Sequence, residues 1–144
     1  MGKYRIVLWC LLLSSCGGPA IVQEVLSGDS VVLRDGRVIR YAGLQGPAPG
    51  DPWYDLARGA NAYLVQDKVV ELRMEPDVQG EEGEIVAFVY TPVSEGGKIL
   101  WLFVNAELVR FGLARALPMP PEVIHRDLWQ NLMDSRCCIT MHIV

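Results

Sequence analysis

Residues 22–48, V-Q-E-V-L-S-G-D-S-V-V-L-R-D-G-R-V-I-R-Y-A-G-L-Q-G-P-A, constrain the fold more than any other part of the chain. Three short apolar runs, Val22–Leu26, Val31–Leu33 and Val38–Leu44, are separated by turn-forming residues. β-Branched residues fit the half-buried, pleated surface of a sheet, so the runs read as strands. Ser27-Gly28-Asp29-Ser30 makes the first turn. Asp35-Gly36 makes the second, and the pair predicts a two-residue type I′ hairpin with positive φ at both positions. The third run ends in Gln45-Gly46-Pro47. A meander of this kind needs further strands to bury its apolar face.

Those strands follow. Lys68–Glu75 alternates, with Val70, Leu72 and Met74 on one side and charged residues on the other. Ile85–Tyr90 and Ile99–Val104 are compact apolar runs, with Pro92–Lys98 between them read as a loop. Three helices are expected. Asp51 as N-cap and Pro52 at the first helical position start one over 52–66, with Trp53, Leu56, Ala60, Tyr63 and Leu64 on its packed face. Gly59 within it suggests close approach to a strand. Asn105 caps a second helix, which Gly112 stops. Glu122–Arg136 repeats Ile124, Leu128 and Leu132 every four residues and forms the third.

A chain of 144 residues holds one domain with a sizeable core. Its start has a different character. Lys3 and Arg5 precede an apolar run, Ile6–Leu13, too short to span a bilayer, and small residues follow. Leu13-Ser14-Ser15-Cys16 resembles a bacterial lipobox, in which the cysteine is acylated and becomes the new N-terminus. The expected organisation is a signal peptide over 1–15, a lipidated tether over 16–20, a barrel domain over 21–136 and a tail over 137–144. The protein would then be exported across the inner membrane and lipid-anchored in the cell envelope through Cys16. Removal of the signal would take Lys3 and Arg5 with it, moving the formal charge from −4 to −6. Nucleic-acid binders draw their affinity from clustered Lys and Arg, and no basic run is present, so nucleic acid is not the expected partner.

Four cysteines do not make a disulfide framework, because Cys137 and Cys138 are adjacent and Cys10 lies in the apolar start. His125 and His142 have no partner spacing that suggests a ligand pair, and Cys137-Cys138-His142 is poorly suited to tetrahedral zinc. Trp53, Trp101 and Trp129 read as core or interface anchors.

A second motif, Asn105-Ala106-Glu107-Leu108-Val109-Arg110-Phe111-Gly112-Leu113-Ala114, follows the meander at a spacing that permits identification. It looks like the V-N-x-x-L-V-x-x-G-x-A helix of the staphylococcal-nuclease-like (thermonuclease) family, whose D-G-D-T turn and first strands residues 22–48 also resemble. Together the motifs bracket residues 22–116. The resemblance implies a mainly β fold with helices (α+β), a five-stranded OB-type barrel with about three helices. It also implies phosphodiester cleavage with Ca²⁺, held by two aspartates, a glutamate that activates water, and two arginines that clamp the phosphate.

Carried over residue by residue, that set is degenerate. Asp29 matches the first metal aspartate, with Ser27 in place of the family's leading aspartate, and Arg40 matches the first arginine. The D-T-P-E loop is Gln45-Gly46-Pro47-Ala48, so Gln45 replaces the second metal aspartate and Ala48 the glutamate. Glu84 stands where the second arginine is expected, a negative charge facing the phosphodiester. Gln45 offers a neutral oxygen at best, and Ala48 offers nothing to water. Asp29 and Arg40 also have a structural reading, as a turn cap and an ion pair. A rearranged site would have to recruit Asp51, Asp55 or Glu82.

The expectation is a membrane-anchored bacterial lipoprotein whose barrel has lost its catalytic set. It would act as a binding or structural module toward another protein or envelope component, with no cofactor. The alternative is a Ca²⁺-dependent nuclease with a rearranged site, Asp29 holding the metal. A third reading is an OB-type binder of single strands or oligosaccharide without hydrolysis.

Overall fold

A computed structural model describes residues 19–74, 80, 81 and 83–118. The helix expected over 122–136, Cys16, Glu82, His125, Trp129, Cys137, Cys138 and His142 lie outside the described residues. Within them the order is β1 (Ala20–Val25), β2 (Ser30–Leu33), β3 (Val38–Tyr41), β4 (Leu44–Gln45), α1 (Tyr54–Val65), β5 (Val69–Met74), β6 (Glu84–Glu95), β7 (Lys98–Phe103), α2 (Val104–Arg110) and β8 (Arg115–Ala116).

Strands β3, β2, β1, β5 and β6 are neighbours in that order, all antiparallel. A parallel pairing of β3 with β6, Val38↔Glu84 through Tyr41↔Ala87, closes them into a five-stranded mixed barrel of OB type. Closure removes the sheet edges of these strands. Inside it lie Val22, Val25, Val31, Leu33, Ile39, Tyr41, Ala87 and Val89, with Val104 and Leu108 of α2 packed onto them. Val22 and Val25 both face inward although an odd spacing separates them. A bulge between Val22 and Glu24 shifts the alternation of β1 by one residue and makes this possible.

The meander is present, with two differences from the sequence reading. The turn at Asp35-Gly36 is one residue longer than a type I′ pair. Leu33 N–H donates to the Arg37 carbonyl and Gly36 N–H to the Leu33 carbonyl, and Gly36 alone has positive φ, 87°. This is a three-residue loop with a left-handed glycine, and the Asp35 carboxylate fixes it by accepting from Arg37 N–H (3.1 Å) and Arg37 Nε (2.8 Å). The third run breaks after Tyr41, and Leu44–Gln45 pairs instead with Arg115–Ala116.

Helix α1 begins at Tyr54, two residues later than expected, with Asp51 capping the turn before it through Trp53 N–H at 2.8 Å. The packed face also differs. Of the expected residues Ala60 and Leu64 do pack against the core, but the buried positions are Ala57, Asn61 and Val65, while Trp53, Leu56 and Tyr63 are exposed. The close approach occurs not at Gly59, which faces open space, but at Gly28, where an added Cβ would lie 2.9 Å from the Ala57 Cβ. A large side chain at position 57 could not be accommodated.

Pro92–Lys98 is not a loop. β6 runs on to Glu95 and β7 returns from Lys98 around Gly96-Gly97, with φ 56° and 76°. Two left-handed glycines between paired residues satisfy a two-residue turn whose twist matches the strands. Pro92 is tolerated because β5 pairs with β6 only as far as Glu71↔Tyr90. Asn105 lies inside α2 rather than at its cap. Fully buried, it accepts from Val89 N–H (2.9 Å) and donates to the Ala42 carbonyl (2.9 Å), tying helix to barrel. Gly112 does end α2: its N–H reaches the Val109 carbonyl, and Leu113 N–H reaches that of Leu108.

Candidate functional site

The β1–β2 turn is built from its own hydroxyls. Ser27 Oγ donates to Asp29 Oδ1 at 2.5 Å, which uses its only proton, so Ser30 must donate in the 2.6 Å contact between the two serines. The Ser30 carbonyl accepts from Leu26 and Ser27 N–H, and the Asp29 carbonyl from Tyr41 N–H. Helix α1 holds the turn from behind. Asn61, fully buried, donates to the Ser27 carbonyl at 3.0 Å and accepts from the Tyr41 hydroxyl at 2.8 Å. Burial pushes the Tyr41 phenol well above its ordinary pKa; the Asn61 hydrogen bond opposes this and the Asp29 charge adds to it.

The barrel's register brings the charged residues to this turn. Ser30↔Arg40 across β2–β3 puts Arg40 beside Asp29, and the parallel closure Val38↔Glu84 puts Glu84 diagonal to Arg40 on the same outward face. Arg40 Nη1 donates to Asp29 Oδ2 at 3.2 Å, and Arg40 Nε to Glu84 Oε2 at 2.9 Å. Asp29 Oδ2 also accepts from Gly46 N–H at 2.9 Å, and Glu84 Oε2 from Glu81 N–H at 3.2 Å. Burial alone would lower the Arg40 pKa; the hydrogen bond to Glu84 and the charges of Asp29, Glu84 and Glu81 outweigh it and hold the group above its ordinary value. The guanidinium, about one-third exposed, is thus flanked by two carboxylates, which leaves one negative charge in excess.

Glu84 therefore does not stand as an uncompensated charge in an open site; it is turned onto Arg40. Gln45 is engaged elsewhere. It sits opposite Arg115 in the β4–β8 pair, and its amide oxygen accepts from Arg115 Nη2 at 2.9 Å. Ala48 lines a cleft of about 420 Å³ with Gln45, Pro47, Asp51, Trp53 and Arg115. Gly46 joins cleft and cluster, lining the first and donating to Asp29 of the second. Asp55 lines a different hollow, with Arg58 and Gln66.

Ca²⁺ takes six to eight oxygen ligands, several of them carboxylates. The donor set here does not suit it. Both Asp29 oxygens accept hydrogen bonds, Glu84 is the other carboxylate bonded to Arg40, and a cation between the two would meet the guanidinium that bridges them. Among the described residues, no three His, Cys, Asp or Glu side chains come together as metal ligands.

Sequence reasoning found Asp29, Arg40 and Glu84 but not the groups that hold them: the Asn61 brace, the Gly46 amide and the Gln45–Arg115 bond. Asn61 had a legible signal, a polar residue at i+4 from Ala57 within a helix that must bury one face. Arg115 had none. The chain matches no model of a known protein family, and no characterised protein matches it with significant similarity.

Proposed function

We propose that this chain is a lipid-anchored protein of the bacterial envelope. Its barrel, related to the staphylococcal-nuclease-like fold, is a binding or structural module without phosphodiesterase chemistry. The observation that carries this reading is the pairing of Arg40 with both Asp29 and Glu84. An arginine that clamps a phosphate must present donors to the ligand and add net positive charge where negative charge builds up. Arg40 gives two of its N–H donors, on Nε and Nη1, to the protein's own carboxylates, within a cluster of net negative charge that repels a phosphodiester. Ala48 brings no carboxylate to the neighbouring cleft, and the acid that does line it, Asp51, is engaged as a turn cap, accepting from Trp53 N–H. Groups that act as a unit lose nearly all of their rate when several are missing.

The anchor rests on the lipobox-like run ending at Cys16. Partners are therefore the membrane, through the anchor, and a protein or envelope component. Incubation of the purified protein with single-stranded DNA, in Ca²⁺ and in EDTA, tests the reading. No cleavage in either is expected; EDTA-sensitive cleavage lost in Asp29→Ala would establish the nuclease alternative, and salt-sensitive binding without cleavage the nucleic-acid-binding one. Cys16→Ser is expected to release the protein from the membrane fraction.

A further inference from the structure

Both tryptophans among the described residues are open to solvent. Trp101, 49% exposed, stands on the β6–β7 hairpin, an arm that runs past the last β5 pairing at Tyr90 with Ile99 and Leu100 exposed beside it. Trp53 is more open, at 61%, and with Ala48 and Arg115 it lines the cleft of about 420 Å³. Small-ligand sites are hollows with apolar and aromatic walls and a few fixed polar groups. Here Trp53, Pro47 and Leu113 supply the first, and Gln45, Asp51 and Arg115 the second.

The cleft is held in shape by bonds within its own walls. Gly46 N–H is fixed on Asp29 Oδ2, Asp51 N–H donates to the Ala48 carbonyl at 3.0 Å, and Trp53 N–H to Asp51 Oδ1 at 2.8 Å. Gln45 stands opposite Arg115 in the β4–β8 pair, and the 2.9 Å bond between their side chains orients both. All three polar side chains have capacity left. Among the described residues the Gln45 amide nitrogen, Asp51 Oδ2, and Arg115 Nε and Nη1 have no partner.

This lining selects a class of ligand. Asp51 and Arg115 cancel, and Gly46 joins the cleft to a cluster with one negative charge in excess, so a phosphate chain is disfavoured. A purely apolar ligand would leave a carboxylate, an amide and a guanidinium without hydrogen bonds. A hydroxyl both donates and accepts, and so meets all three. A sugar ring also suits the indole: a pyranose with equatorial substituents turns only C–H groups toward its two faces, and the indole face is flat and apolar. We propose that the cleft binds a neutral saccharide of the cellulose or chitin type. One ring lies flat on Trp53, with its hydroxyls bonded to Gln45, Asp51 and Arg115. The envelope component of the binding-module reading is then a glycan, and the assignment rests on that reading.

The test is calorimetric titration of the full chain, in a detergent without a sugar headgroup, with cellotetraose and chitotetraose. A thymidine tetranucleotide and a tetraproline peptide are the competing probes. The expected result is binding of a sugar tetramer that Trp53→Ala weakens about tenfold or more, Trp53→Phe largely restores and Trp101→Ala leaves unchanged. In the wild type the indole N–H resonance of Trp53 should shift on titration, a readout that needs no variant to fold. Failure of both sugars to bind, or sugar binding that leaves that resonance unmoved, overturns the assignment. So does tighter binding of the tetranucleotide or of tetraproline at Trp53, which would make the occupant a nucleic acid or a peptide. Sugars that fail while DNA stays uncleaved overturn the ligand alone; cleavage of DNA overturns the binding-module reading and the ligand with it.

Discussion

The Asp29–Arg40–Glu84 cluster and the β6–β7 arm lie on one small barrel and solve opposite problems. In the cluster, charged groups that could serve a ligand are paired with one another: each carboxylate accepts from Arg40 and from a backbone N–H, and Asp29 from Ser27 as well. On the arm, apolar side chains that a fold ordinarily covers are left in the open. Natural sequences depart from local consistency where function requires it, so exposed apolar groups, Trp53 at the cleft included, are the better pointer to activity. In the cluster, residues of ligand-binding type pair with one another; on the arm, residues of core type face outward.

Substitutions should separate the two regions on one stability scale. The largest loss is expected for Asn105→Ala, which strands the buried Val89 N–H and Ala42 carbonyl. A decrease of about 3 kcal/mol in urea-unfolding free energy is the expected outcome. Gly28→Ala follows, because the new Cβ would press on Ala57 behind the Asp29 turn, at a cost of about 2 kcal/mol that Ala57→Gly should partly restore. Tyr41 adds a pH signature to the cluster side. Its folded-state pKa is raised, so its contribution is fully present below the unfolded phenol value of about 10 and is lost as pH rises through the folded value. Alkaline unfolding curves of wild type should therefore fall from about pH 10 upward, and Tyr41→Phe should flatten part of that fall. The smallest effect is expected on the arm. Trp101→Ser should shift stability by no more than about 0.5 kcal/mol, since the side chain is half exposed; a loss as large as that of Gly28→Ala would make the arm part of the core and dissolve the contrast.

The barrel was legible because its signals are local: alternation in Val69–Met74, turn residues between the first three strands, and Gly112 after α2. The face of α1 was not, because periodicity favours bulky residues while the space behind the Ser27–Ser30 turn admits only small ones. It also needs an amide for the Tyr41 hydroxyl. Asn105 looked like a cap from its neighbours in sequence, and its actual partners lie on β6 and beyond β3. Gly96-Gly97 carried a hairpin signal that Pro92 obscured. Of the candidate site, the residues were readable and their pairing was not. Arg40 meets Glu84 only through the parallel closure of β3 on β6, a contact 44 residues apart that no local pattern encodes.

The unfolding free energy of Arg40→Met at neutral pH tests most directly whether the cluster serves the fold. An arginine that pairs two carboxylates leaves both uncompensated when removed. With Arg40 about one-third exposed and solvent screening part of the charge, the expected loss is about 1–2 kcal/mol, relieved when Glu84→Gln is added. Ligand-binding arginines held against their own stability behave in the opposite way. An Arg40→Met protein as stable as wild type, or more so, would contradict the account.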